Sequence, residues 1–375
     1  MSVTDVANPA DSDYLQRCLQ LAQQAAGKTS PNPLVGSVIV ADGQVVGEGF
    51  HPGVGQPHAE VFALRAAGDR ARGATLYVNL EPCNHIGRTP PCTEAIIAAG
   101  IERVVIGMID PDPRVSGGGV QRLQQAGIRV TTGVEERASQ RLNEAFSHSV
   151  IHQRPFGILK YAMTLDGKIA ATGGHSAWVT SPASRAWVHR LRSQTDAVIV
   201  GGQTVRQDNP HLTSHGQGDR SPLRVVMSRT LDLPEQAHLW DQQIAKTLVF
   251  CGADVVSQRQ DTLLKQGVEV VALPELEPAH VLSALHQRGL RSVLWECGGQ
   301  LSARAIAQHG VQKVCAFVAP KIIGGPAAPS PIGELGLTKM SEAIALTDVT
   351  IEAIAPDLLI QGYLNATEVT PEPVL

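Results

Sequence analysis

The sequence predicts an α/β protein of two domains, residues 1–152 and 153–375, and three observations predict it. A chain of 375 residues is too long for one ordinary hydrophobic core. Short apolar runs rich in Val, Ile and Leu alternate with amphipathic helical patterns in both halves, the pattern of sheets covered by helices. The alternation pauses at residues 147–154, behind a linking helix at 137–146, and restarts at Pro155.

In the first half, residues 13–26 read as a helix because Tyr14, Leu15, Cys18, Leu19 and Ala22 form one stripe, and Gly27 ends it. Residues 35–40 and 45–49 read as a hairpin around Ala41-Asp42-Gly43-Gln44. Pro57 opens an Ala-rich helix that Gly68 stops. A buried strand at 75–80 delivers Glu81, Pro82 and Cys83 at its end, and Cys92 opens a helix at 93–99. A strand at 103–107, a helix near 120–126 and a strand at 128–132 complete this unit. In the second half, strands are expected at 156–161, 197–201, 223–227, 247–251, 268–272, 292–296 and 313–318. Helices are expected between several of them, notably at 182–192, 278–288 and 301–309. Residues 367–375, with two Pro and two Glu, read as a frayed tail.

Composition narrows the function. Apolar content of 43% and charged content of 18% describe a soluble globular protein. A net charge of -4 gives no general attraction to nucleic acid or to an anionic membrane, so the expected partner is a small molecule. Residues 1–14 lack the basic and apolar regions of a signal or transit peptide, and no run approaches the ~18 apolar residues of a membrane span. Six cysteines without disulfide-framework spacing point to a reducing cytoplasm.

Four residues then carry the chemistry. His58-Ala59-Glu60 is followed by Glu81-Pro82-Cys83 and, after eight intervening residues, by Cys92. Singly, His58 is an ordinary helix-start residue and the cysteines ordinary buried thiols. Together they match the H-x-E and P-C-x-x-C pattern of zinc deaminases in everything but the short cysteine spacing. Three ligands, His58, Cys83 and Cys92, leave the fourth tetrahedral position for water, whose pKa zinc lowers to about 7. Glu60 is the proton carrier beside it. Residues two apart in mid-helix point about 200° away from each other, so His58 and Glu60 share one ion only near a helix end, where Pro57 puts them. The gap 84–91 holds a His, an Arg, a Gly and two Pro, loop chemistry suited to holding substrate beside the metal.

The second half offers weaker signals. Gly201-Gly202 and Gly298-Gly299 follow strands and suit a phosphate at a helix N-terminus, but a Gly-Gly pair is also an ordinary tight turn. Neither G-x-G-x-x-G nor a P-loop occurs. Lys160 and Glu296 are polar residues within apolar strands, which cost free energy to bury unless paired, and so mark a site.

The segments SPNPLVG at 30–36, GQPHAE at 55–60 and LEPCNHIGRTPPCT at 80–93 resemble the bifunctional riboflavin biosynthesis deaminase/reductase family, wide cysteine spacing included. LKYAMTLDGKIA at 159–170, DNPHLT at 208–213 and APK at 319–321 resemble its reductase half. The resemblance implies a cytidine-deaminase-like α/β/α domain followed by a dihydrofolate-reductase-like α/β domain. It implies zinc-dependent deamination of a phosphoribosylaminopyrimidine, then NADPH-dependent reduction of the ribosyl group to ribityl, in the cytoplasm and as a homo-oligomer, dimer or tetramer. It carries Asn32, His51, His85, Arg88 and Asp110 as contacts to the first substrate. In the reductase half it carries Ala162, Trp178, Thr204, Asp208, Gly298 and Gly299 as cofactor contacts. Lys160, Ser176, Arg192, Leu212 and Glu296 match substrate-side positions, Lys160 and Glu296 as catalytic groups.

Two positions depart from the family pattern. His215 stands where the family has an Arg, with Arg192, Arg206 and Arg220 as candidates to take its place, and Ser228-Arg229 replaces Asp-Ser. They leave open a deaminase whose reductase domain is degenerate and serves dimerisation. A nucleic-acid base deaminase is the other alternative, and it lacks the basic, aromatic groove it would need, since aromatic content is 4%.

Overall fold

A computed structural model describes residues 9–85, 90–255 and 257–364. The chain divides into two compact units, Met1–Gln153 and Arg154–Leu375.

The first unit runs α1 (Pro9–Gln23), β1 (Gly36–Ala41), β2 (Gln44–Phe50), α2 (Ala59–Ala67), β3 (Thr75–Leu80), α3 (Cys92–Ala98), β4 (Arg103–Met108), α4 (Gly118–Gln125), β5 (Arg129–Thr132), α5 (Glu136–Leu142) and α6 (Glu144–His152). Its five-stranded sheet has the order β2-β1-β3-β4-β5. β1 is antiparallel to β2 and β3, whereas β3, β4 and β5 run parallel. Alternate residues leave opposite faces of a strand, so each central strand feeds two cores. Ile39, Leu76, Val78, Val104 and Ile106 pack with Ala63, Ala67, Ile96 and Leu123 of α2, α3 and α4. Val38, Tyr77 and Val105 pack on the other face with Leu15 and Cys18 of α1.

α1 begins earlier than the apolar stripe alone indicated. Buried Asp11 in its first turn takes two hydrogen bonds from the Arg103 guanidinium at 2.9 Å and one from the Tyr77 hydroxyl at 2.9 Å, a tether to the sheet that periodicity does not reveal. The hairpin turns on Asp42 and Gly43 with φ of 51° and 72°, the left-handed pair of a type I′ turn. The linking helix is two helices that part at Asn143, whose side chain bonds both the N–H and the C=O of Leu34. Residues 147–152, expected as an irregular boundary, belong to α6.

The second unit runs β6 (Phe156–Thr164), α7 (Pro182–Gln194), β7 (Ala197–Gly201), α8 (Gly202–Asp208), β8 (Leu223–Met227), β9 (Thr247–Gly252), α9 (Ser257–Lys265), β10 (Glu269–Leu273), α10 (Pro278–Gln287), β11 (Ser292–Trp295), α11 (Gly299–Ala307), β12 (Lys313–Ala319), β13 (Leu346–Ile354) and β14 (Asp357–Leu364). Its nine-stranded sheet has the order β10-β9-β8-β7-β11-β6-β12-β14-β13, parallel through β12 and antiparallel over the last two strands. Trp295, Phe250, Leu159, Ile199 and Val293 form its core with Val281, Leu282, Leu285 and Ile306 of α10 and α11. Four elements were not read from the sequence. α8 and α9 carry few apolar residues and β13 is exposed along most of its length, whereas β14 buries Asp357, Leu359 and Gly362, a polar residue and a glycine among them, so its alternation is not an apolar one. Residues 367–375, expected as a tail, lie outside the described residues.

Candidate active sites

The first site sits at the carboxyl ends of β3 and β4, where α/β sheets bind ligands. His58 is the extended N-cap of α2 (φ -76°, ψ 164°), and Glu60 follows in the first helical turn. Helical twist has not yet separated the two side chains at that point. Cys83 follows β3, and Cys92 opens α3 with its own N–H donating to the Cys83 sulfur at 3.4 Å. His58 Nδ1 lies 3.2 Å from Cys92 Sγ and 3.5 Å from Cys83 Sγ. Zinc bonded to nitrogen at about 2.0–2.1 Å and to sulfur at about 2.3 Å holds those atoms about 3.5 Å apart in a tetrahedron. The trio, with all ligand atoms within 4.8 Å of one another, therefore fits zinc, and three ligands among the described residues leave the fourth position for water.

The two cysteines share one proton. The Cys92 thiol and the His58 ring hydrogen-bond the Cys83 sulfur and hold its pKa down to about 4, whereas that same contact and burial push the Cys92 thiol up, so a cation that replaces the shared proton relieves the pair. Glu60 is 3% exposed, and its Oε2 has no hydrogen-bond partner among the described residues. Burial, reinforced by the Cys83 charge, pushes its pKa up to about 7, a value at which a carboxyl group both takes and gives a proton near neutrality.

Around this centre, His51 Nδ1–H donates to Pro57 O at 3.0 Å, and Asn32 Nδ2 donates to His51 Nε2 at 3.1 Å. Burial lowers the His51 pKa, which suits the neutral ring that these two bonds require. The His51 and His58 rings meet edge to face at 5.5 Å, so Asn32, His51 and the metal ligands form one chain of contacts. Asp110 follows β4 and is close enough to His85 for their charges to interact. Arg88 lies outside the described residues.

Sequence reading missed the part played by Glu81. It is buried at 5% exposure and accepts four backbone N–H groups from residues 110–120. The signal was available, because a charged residue at the end of an apolar strand is the argument applied to Lys160 and Glu296.

In the second unit, strand register creates the polar cluster. Leu159 pairs with Trp295 across β6 and β11, which sets Lys160 beside Glu296. Lys160 Nζ lies 3.5 Å from Glu296 Oε2. Arg192 grips the same carboxylate with Nε to Oε1 at 2.5 Å and Nη2 to Oε2 at 3.0 Å, and its Nη1 donates to Thr213 O at 3.0 Å. Burial pushes the Glu296 pKa up, but the Arg192 and Lys160 cations outweigh it and hold the value down to about 2. Burial and the Arg192 charge lower the Lys160 pKa, against the pull of Glu296.

β7 and β11 are neighbours, so the Gly201 N-cap of α8 and the Gly298 N-cap of α11 lie at the same edge of the sheet, both without a side-chain cap. The two glycines of the second pair differ in cause. A Cβ on Gly299 would lie 2.7 Å from Ser330 O, so that glycine admits the 330–333 loop, whereas a Cβ on Gly298 meets nothing within 4 Å. Gly298 thus leaves open space before a helix N-terminus, which fits a phosphate of a nucleotide cofactor.

Ser176 Oγ donates to Asp208 Oδ1 at 2.8 Å, joining two expected contacts, and Thr204 sits on the same helix as Asp208. Ala162 lies on β6 opposite Phe317, and Leu212 is buried at a φ of 54°. Trp178 is 69% exposed with the Arg185 guanidinium 4.3 Å from its ring centre.

Of the arginines considered as replacements for the family's Arg at His215, Arg192 lies close enough to His215 for its charge to lower the pKa of that ring while it holds Glu296. Arg206 holds Asp232, and Arg220 binds Asp196 at 3.0 Å, at the amino ends of the strands. His215 instead stacks on His189 at 4.2 Å and meets His211 edge to face. Ser228 packs under Gly202 at the start of α8, a structural use of that departure.

Comparison with known proteins covers both units. Residues 9–108 match the cytidine and deoxycytidylate deaminase zinc-binding region, and residues 155–360 match the RibD C-terminal domain. The chain is 62% identical to the riboflavin biosynthesis protein RibD of Synechocystis sp., over 95% of this chain and 96% of that one. It is 40% identical to RibD of Aquifex aeolicus over 93% and 97% of the two chains. Among solved structures, Acinetobacter baumannii RibD superposes with a TM-score of 0.85 at 35% identity over 95% and 99% of the chains. A diaminohydroxyphosphoribosylaminopyrimidine deaminase/5-amino-6-(5-phosphoribosylamino)uracil reductase from Thermotoga maritima superposes at 0.83 with 36% identity over the same shares.

Proposed function

The chain belongs to the RibD family of riboflavin biosynthesis proteins, and from that premise we propose which residues carry each of its two reactions. It is a bifunctional enzyme that uses zinc and NADPH. It deaminates 2,5-diamino-6-(5-phosphoribosylamino)pyrimidin-4(3H)-one to 5-amino-6-(5-phosphoribosylamino)uracil and then reduces the ribosyl group to ribityl. In this reading residues 1–152 carry the deaminase and residues 153–375 the reductase.

For the deaminase, His58, Cys83 and Cys92 hold the metal. Zinc, when bound there, lowers the pKa of a coordinated water so that hydroxide is available near neutral pH. Glu60 Oε2 takes the proton that this water gives up and hands it to the ring nitrogen beside the amino-bearing carbon; it then takes the hydroxyl proton of the resulting tetrahedral carbon and gives it to the amine, which leaves as ammonia as the carbonyl forms. Asn32 and His51 hold the pyrimidine, and His85, Arg88 and Asp110 the phosphoribosyl side. For the reductase, Gly298, Gly299, Ala162, Trp178, Thr204 and Asp208 bind NADPH, which supplies a hydride when bound. Lys160 Nζ holds a proton at the ribosyl group while Glu296 orients it, and Ser176, Arg192 and Leu212 position the substrate.

The observation that carries this reading is the three-ligand cluster with Glu60 buried beside it, its Oε2 without a hydrogen-bond partner among the described residues. Stripping the metal with a chelator is expected to abolish ammonia release and zinc to restore it, while NADPH oxidation with supplied aminouracil continues. Normal ammonia release without NADPH oxidation would remove the reductase assignment.

The enzyme acts on a small molecule, and among the described residues no helix is long and apolar enough to cross a membrane. We place it in the cytoplasm, on the chemistry of six free thiols, two of them metal ligands that oxidation would remove. Full activity of protein carrying a Cys83–Cys92 disulfide would count against that. We also read it as a homo-oligomer, dimer or tetramer. β13 closes the sheet as an edge strand, and Val349, Ile351 and Leu358 are at least 44% exposed on it and β14, an unprotected edge that a second copy would cover. Sedimentation at micromolar concentration is expected to show no monomer; a monomer there sinks this reading.

A further inference from the structure

We infer that Glu81 is a positioning residue of the deaminase site, fastening the loop that carries Asp110 to the strand end that carries Cys83. The inference rests on the reading of Asp110 as a substrate contact.

The Glu81 carboxylate is used on both oxygens. Oε1 accepts Gly119 N–H at 2.8 Å and Val120 N–H at 3.0 Å, and Oε2 accepts Gly117 N–H at 3.0 Å and Asp110 N–H at 3.1 Å. The first turn of α4 has no cap of its own, because its N-cap is Gly117, in the left-handed region at φ 76°. A side chain distant in sequence therefore satisfies N–H groups that a local Ser, Thr or Asp satisfies in most helices. The same residue's N–H donates to Met108 O at 2.9 Å, so Glu81 grips the segment 108–120 at its start and at its end.

Gly119 shows how close this grip is. A Cβ there would lie 2.2 Å from Pro82 O, so the helix start rests directly on the backbone between Glu81 and Cys83. Inside the closed segment, Asp110 is held by its own N–H on Glu81 and by Asp112 N–H on its Oδ1 at 2.9 Å. Four backbone donors on one carboxylate cannot be matched by an amide. A glutamine can accept at one position only, and its NH2 at the other faces two N–H donors.

Glu81→Gln is the test, with zinc content, steady-state kinetics and amide hydrogen exchange as readouts. Because the loop orients a substrate contact and supplies no metal ligand, KM for the pyrimidine is expected to rise about tenfold or more with kcat changed by less than about threefold. Zinc stays at one per chain, and exchange in residues 108–120 quickens while β3 stays protected. Gly119→Ala breaks the same grip from the helix side and is expected to raise KM in the same way, which keeps the test open if Glu81→Gln folds poorly. Asp110→Asn should raise KM by itself and add little on top of Glu81→Gln. If Asp110→Asn leaves KM unchanged, the role given to Asp110 fails while the exchange result still decides the role given to Glu81. Unchanged exchange in residues 108–120, or loss of zinc with KM intact, overturns the inference.

Discussion

Glu60→Gln is expected to lower kcat for ammonia release by roughly 10²–10⁴-fold, the usual contribution of a general acid–base group, while the protein keeps its zinc. Glutamine keeps the size of the side chain and cannot carry the proton from water to the ring and on to the amine. Because Glu60 Oε2 is buried without a partner, removing its charge removes a desolvation cost and should leave the unfolding temperature unchanged or higher. Reaction with the aminouracil and NADPH is an internal control in the same preparation. Ammonia release within tenfold of the parent would show that another group moves the proton.

Glu296→Gln has the largest expected effect on stability. It leaves the Lys160 ammonium and the Arg192 guanidinium without their shared carboxylate, and breaking a buried ion pair from one side costs about 3–5 kcal/mol. The sign with pH follows from the folded pKa of about 2, below the unfolded value of about 4.3. The stabilisation is present above pH ~4.3 and is lost as pH falls toward 2, so the variant should show a flatter acid limb than the parent. The four tryptophans, 178, 187, 240 and 295, all lie in the second unit, so their fluorescence during denaturation reports that unit alone. Lys160→Met should stop NADPH oxidation but cost less stability, because Arg192 still pairs with Glu296. Equal acid limbs in parent and Glu296→Gln would overturn this account.

Much of the fold was legible because periodicity and turn chemistry act locally. The strands at 75–80, 197–201 and 223–227 coincide with β3, β7 and β8, since each is a short, mostly apolar run buried on both faces, with Asn79 and Arg224 as its polar members. β13 was not legible, because a strand exposed on both faces carries no burial pattern. α1 began before its apolar stripe because Asp11 anchors its first turn to Arg103 and Tyr77, partners over 60 residues away. Helix ends decided by such partners lie beyond any window of sequence.

The sites divide in the same way. The sequence by itself determined the ligand set, since His58, Glu60, Cys83 and Cys92 are chemically distinctive and lie on short segments whose helix starts and strand ends are locally encoded. It also marked Lys160 and Glu296, because charge inside an apolar strand is visible without coordinates. Only the tertiary structure decided which groups answer each other. That Arg192 closes on Glu296 joins residues 104 apart in the chain, and that Gly298 rather than Gly299 leaves space depends on the 330–333 loop. That Glu81 caps a helix starting at residue 118 depends on β3 and β4 being neighbours. Hydrogen bonds and sterics are short-ranged in space, whereas sequence patterns are short-ranged along the chain, and the two coincide only within single elements.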